Sequence, residues 1–128
     1  MALDLYSVKA VIALDAEGER LFAKYYTPDE LTSVKEQRAF ETALFQKTHR
    51  TNSEIILYDG KIVVFKSTLD LFVYVLGDAE ENELLLANVL SAFHDTVSMI
   101  LRNQVDKRTV LENLDYVLLA LDEIVDEG

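Results

Sequence analysis

The spacing of apolar and polar residues divides the chain into eight elements. Residues 5 to 15, LYSVKAVIALD, are apolar on both faces from Val8 to Leu14 apart from Lys9, and this predicts a strand. AEGE follows as a turn, in which Gly18 takes a positive φ without steric cost. Residues 20 to 26 then return as the second arm of a hairpin. After a polar loop around Pro28, SVKE (residues 33 to 36) has the form of a capping box. The helix it opens runs to about Lys47, with Val34, Phe40, Ala43 and Leu44 as its inner stripe, and THRTNS ends it.

EIILYDGKIVVFKS is the clearest local signal. Two β-rich runs flank Asp59-Gly60, a dipeptide suited to a type I′ hairpin turn. LDLFVYVLG supplies a fifth strand ending at Gly77. These three strands are apolar at nearly every position, which predicts cover on both faces of the sheet. Two further helices provide it. From Glu80 to about Arg102 the stripe is Leu86, Val89, Leu90, Phe93, Val97, Ile100 and Leu101; from about Thr109 to Val125 it is Leu111, Leu114, Val117, Leu118, Leu121, Ile124 and Val125. The order β-β-α-β-β-β-α-α predicts an α+β fold. A five-stranded, mainly antiparallel sheet would carry one helix on one face and two on the other, in a single domain over residues 1 to 128.

Composition narrows the function. The formal charge is −11, which disfavours phosphate backbones and anionic lipid surfaces unless basic residues cluster locally. They do so only weakly, at Lys35, Arg38, Lys47 and Arg50. Residues 67 to 101 hold no Lys or Arg but contain Asp70, Asp78, Glu80, Glu81, Glu83 and Asp95. Such a run is either a solvated face or a face that docks on a basic partner. There is no cysteine, so disulfides and thiolate metal sites are excluded. Neither a signal-peptide pattern nor an apolar run of ~20 residues occurs.

Candidate chemistry is sparse. His49 and His94 have no second histidine nearby, and His94 and Asp95, as helix neighbours, point about 100° apart. No G-x-S-x-G and no glycine-rich phosphate loop is present. Asp122 and Asp126 share a helical face, an arrangement more typical of solvated residues than of a cation site. The expectation is a non-enzyme with no catalytic centre, cofactor or metal.

GERLFAKYY, residues 18 to 26, is the unusual stretch. Phe22, Tyr25 and Tyr26 fall within five residues, with Lys24 among them. The cluster reads as core, as a ligand platform or as a surface covered by another protein. Phe22 and at least one tyrosine are expected to face the core. The remaining aromatic surface with Lys24 is the candidate partner contact, since Tyr joins an apolar ring to a polar tip.

Several longer motifs carry a resemblance: YSVKAVIALDAEGERLFAKYY, VKEQRAFETALFQKTHRTNSEI, ENELLLANVL, LRNQVDKRTVLEN and LDEIVDEG. Together they span nearly the whole chain, and they resemble the zeta family of coatomer (COPI coat) small subunits, within the adaptor small-chain, longin-like group. The resemblance implies a non-enzymatic coat subunit clasped by the trunk of the gamma subunit in a heterodimer, alongside the remaining coatomer subunits. It implies recruitment to Golgi membranes through Arf and the assembled coat, and service in retrograde and intra-Golgi transport from the cytoplasm. It also implies a C-terminal tail beyond the point, Gly128, at which this sequence stops. Two alternatives stand beside it: a sigma-type clathrin adaptor subunit, and a longin-like domain that regulates a small GTPase. Against the first, Thr68, Asp70 and His94 fall where a sigma-type dileucine pocket would be apolar.

Overall fold

The computed structural model describes residues 8–26, 33–50, 54–68, 70–78, 80 and 82–127. The strands are β1 (Ala10–Asp15), β2 (Arg20–Tyr25), β3 (Ile55–Tyr58), β4 (Lys61–Thr68) and β5 (Leu71–Asp78). The helices are α1 (Val34–Thr48), α2 (Glu83–Ile100), α3 (Lys107–Glu112) and α4 (Leu114–Glu127). One antiparallel sheet runs β2-β1-β5-β4-β3, so the two hairpins lie on either side of β5. The start of the predicted first strand and the Pro28 loop lie outside the described residues.

Strand alternation explains the continuous apolar runs. On one face Val11, Ala13, Phe22, Ile62, Val64 and Val75 pack against Leu86, Phe93 and Val97 of α2 and Val117, Leu121 and Val125 of α4. On the other, Ile12, Leu14, Val63, Phe65, Tyr74 and Leu76 meet Phe40 and Leu44 of α1. The predicted α+β layering therefore holds, with one helix opposite the others. Leu44, Leu86 and Leu121 are fully buried and anchor α1, α2 and α4, each contributing about 2 kcal/mol by the area it removes from water. Tyr74 is buried among the α1-side apolar groups, and burial pushes its hydroxyl up to about 12 despite the opposing bond to Thr48 Oγ1 at 2.7 Å.

Local chemistry follows the expected devices. Ser33 Oγ accepts the Glu36 N–H at 3.1 Å and caps α1. Asp59 and Gly60 have φ of 54° and 73°, as a type I′ turn requires. Gly18, at φ 84°, closes the β1–β2 turn, where a Cβ would stand 2.8 Å from Phe45 Cδ2. That hairpin is bulged: Ala13 opposes Phe22, but Leu14 opposes Arg20.

Three expectations need correction. The last predicted helix is two helices. Asn113 shares its N–H between the carbonyls of Thr109 and Val110 while its side-chain amide donates to Thr109 O at 3.0 Å, and this local competition breaks the helix. Val34 is exposed and does not belong to the inner stripe of α1, and Ile100 of α2 and Leu111 of α3 are likewise exposed and fall outside theirs. Most consequential, β3 is covered on one face only: Ile56 and Tyr58 pack towards α1, whereas Ile55 and Leu57 face solvent beside α2. β3 is an edge strand, and α2 lies over β4 and β5 without reaching across it.

Candidate partner-binding surface

The aromatic stretch lies on the opposite edge strand, β2, and alternation divides it between the two faces. Phe22 is buried against the α2–α4 face and meets Phe93 edge-on, ring centroids 6.1 Å apart. Lys24 is on the same side, half-buried, with Nζ 3.2 Å from Asp122 of α4. Tyr26, half-buried, packs against the same cluster. Tyr25 points the other way, towards α1. The four predicted residues thus share a strand and its rim but not one patch.

Tyr25 belongs to a polar clasp that sequence reasoning missed. Glu41 of α1 is 2% exposed. It accepts from Arg20 Nε at 2.9 Å and from Arg20 Nη2, and from the Tyr25 hydroxyl at 2.7 Å. Arg20 also reaches Gln37 Oε1 at 3.2 Å. Burial, then the bond to the Glu41 carboxylate, pushes the Tyr25 phenol far above its ordinary value; Glu41 likewise raises Arg20. The only sequence signal for this site was a lone Glu at a helix position that α1's apolar stripe turns inward.

A second clasp holds the far side. Asp15 accepts the N–H groups of Glu17 and Glu19 at 2.9 Å each and Lys107 Nζ at 2.8 Å. Burial works to raise its carboxyl, but Lys107 and the two backbone donors outweigh it and hold it below the usual range. Asp70 accepts the Lys107 N–H at 2.9 Å, tying α3 to the end of β5. His94 lines a void of about 20 Å³ whose other walls include Phe22, Phe93, Val97 and Val110. That is room for about one water, and burial followed by nearby Lys66 lowers the imidazole. Thr68 is half-buried at the end of β4. His49 stacks on Phe45 and its Nδ1 bonds Phe45 O at 2.9 Å. Asp122 is engaged by Lys24, and the Asp126 side chain lies outside the described residues. Asp15, Asp70 and Asp122 thus serve as ties between elements.

What the surface offers is contact area. Ile55 and Leu57 of β3 and Leu84 of α2 are exposed on one side, Tyr116 and Leu119 of α4 on another. No helix of the described residues is long and apolar enough to cross a membrane.

Residues 7–128 match the clathrin adaptor complex small chain family. Coatomer subunit zeta-1 of Bos taurus is 56% identical over 124 residues, 97% of this chain and 70% of the relative. Coatomer subunit zeta of Saccharomyces cerevisiae is 42% identical over 136 residues, 99% of this chain and 72% of the relative. A chain in a homology model of the full-length AP-3 complex in a stretched open conformation superposes with a TM-score of 0.77 at 16% identity, covering 94% of this chain and 82% of that one. The low identity of that match speaks to the fold, whereas the zeta relatives speak to the branch. With its clasps binding one element to another and its sequence shared across nearly all its length, the chain belongs to the clathrin adaptor small-chain family and, within it, to the coatomer zeta coat subunits.

Proposed function

We propose that this chain is a non-enzymatic structural subunit of a COPI coat, held in a constitutive heterodimer by the trunk of the gamma subunit. In that role it serves Golgi-to-ER retrograde and intra-Golgi transport, cytoplasmic by itself and on Golgi membranes as part of the coat. Arf and cargo are met through the other subunits. The observation that carries this reading is 56% identity to coatomer zeta-1 over 97% of the chain. The charge of −11 supports indirect membrane attachment, because anionic lipid repels such a surface.

The gamma contact in this reading is centred on the exposed parts of Lys24, Tyr25 and Tyr26 along β2, with Phe22 supporting them from the core side. Exposed Asp95 on α2 helps steer association. The test is surface-binding kinetics with purified gamma trunk. Tyr26→Ala should dissociate about tenfold faster, the loss of a modest anchor, while added salt should slow association and leave dissociation nearly unchanged. Absence of a complex would remove the gamma reading. A folded Tyr26→Ala variant with unaltered dissociation would move the contact away from β2.

A further inference from the structure

The uncovered side of β3 combines two features that point to one kind of ligand. Ile56 opposes Val63, Tyr58 opposes Lys61, and Glu54 O accepts the Phe65 N–H at 2.9 Å. These alternate residues direct their backbone groups to β4, so the N–H and C=O of Ile55 and Leu57 point outward from the sheet. The same two residues carry the exposed apolar side chains, Leu57 at 72%. Across from them Leu84 of α2 is 66% exposed. Between β3 and α2 runs a groove of about 340 Å³, floored by Val64, Ala87 and Leu90.

Exposed strand edges are ordinarily protected by lysine, proline, a bulge or an inward charge. IILY has none of these, and among the described residues no strand pairs with its outer edge. The charges around the groove also select. Glu54 precedes the strand and Glu83 stands across it, against Lys66 alone within the lining, while Asp59 beyond the strand is paired with Lys61.

We propose that this edge docks an extended segment of another polypeptide, which adds as a sixth strand beside β3. The outward backbone groups of Ile55 and Leu57 pair with the segment. Two of its apolar side chains, spaced two apart, cover the exposed β3 residues, one entering the groove over Ile55 and Leu84 and the other packing on Leu57 beside it, and flanking lysine or arginine residues meet Glu54 and Glu83. This is strand addition, in which main-chain bonds hold the ligand and alternate side chains select it. A second copy of this chain is a poor occupant, because each would bring a net charge of −11 to the contact. The site lies at the opposite edge of the sheet from Tyr25 and Tyr26, so it stands or falls independently of the gamma contact proposed there.

The experiment is an NMR titration of the isotope-labelled chain with a short peptide of alternating leucine and lysine. Amide shifts should concentrate at Ile55, Leu57 and Leu84. Replacing the peptide lysines by glutamate, or N-methylating the amides on one edge of the peptide, should each weaken binding about tenfold. Leu57→Lys should do the same without altering the melting temperature, since the side chain is exposed; Ile55→Thr is the second variant. Shifts spread over the acidic surface, or binding that ignores Leu57→Lys, would overturn the proposal. So would concentration-dependent dimerisation of the unmodified chain that Leu57→Lys abolishes, which would make a second copy the occupant.

Discussion

At one edge of the sheet β2 is tied down on both faces, to α1 through Arg20, Tyr25 and Glu41 and to α4 through Lys24 and Asp122. At the other edge β3 is packed on the α1 side alone and leaves Ile55 and Leu57 open beside α2. Both strands are short, and both close a hairpin through a glycine of positive φ. The difference lies in what their side chains meet. β2 carries charges that find partners in the same fold, so its tertiary ties are internal. β3 carries apolar residues with no internal cover, so its free energy of burial is still available to a ligand.

The largest test of this contrast is Arg20→Met. It leaves the Glu41 carboxylate, 2% exposed, with only the Tyr25 hydroxyl, and should cost about 3 kcal/mol in urea unfolding. Arg20→Met with Glu41→Leu should recover most of that loss, because no charge is then left buried. A cost under about 1 kcal/mol for the single variant would mean that β2 is held by its apolar contacts, and the two edges would differ less than the geometry implies.

The two turns sharpen the comparison. Gly18→Ala meets both the left-handed backbone and Phe45 at 2.8 Å, so the β1–β2 end should lose about 2 kcal/mol. Gly60→Ala has nothing within 4 Å and should lose only the backbone term of about 1 kcal/mol. Thermal melts of the two variants measure the gap. Equal losses would show that Phe45 yields easily and that the β1–β2 turn is no more tightly enclosed than the β3–β4 turn.

The smallest expected effect concerns pH. Asp15 has a lowered folded value, so its contribution is present above the unfolded value of about 3.9 and is lost as pH falls through the folded one. Lys107, raised by its bond to Asp15, contributes below its unfolded value of about 10.4 and loses this as pH rises through the folded one. Asp15→Asn should therefore flatten the acid limb of urea midpoint against pH below about pH 4, and Lys107→Met should do so partly. An unchanged acid limb in both variants would place acid sensitivity elsewhere.

Periodicity alone determined the order of the strands and of the first two helices, the one-against-several helix layering, the Asp59-Gly60 turn and the Ser33 cap. Each of these depends on residues close in sequence or on the twofold and 3.6-fold repeats of strand and helix, and both are local. The matching motifs, read as a resemblance, located the coat family. Tertiary structure decided the rest. The run IILY is as apolar as IVVF in β4, yet IVVF is buried while Ile55 and Leu57 are not, because burial depends on position in the sheet and on how far α2 reaches. Likewise Phe22, Tyr25 and Tyr26 are one cluster in sequence but belong to two faces. Alternation along β2 separates them, and the carboxylate that engages Tyr25 comes from a helix that periodicity marks only as amphipathic. Contacts between residues distant in the chain set which apolar side chains become core and which remain surface, and composition records no trace of that choice.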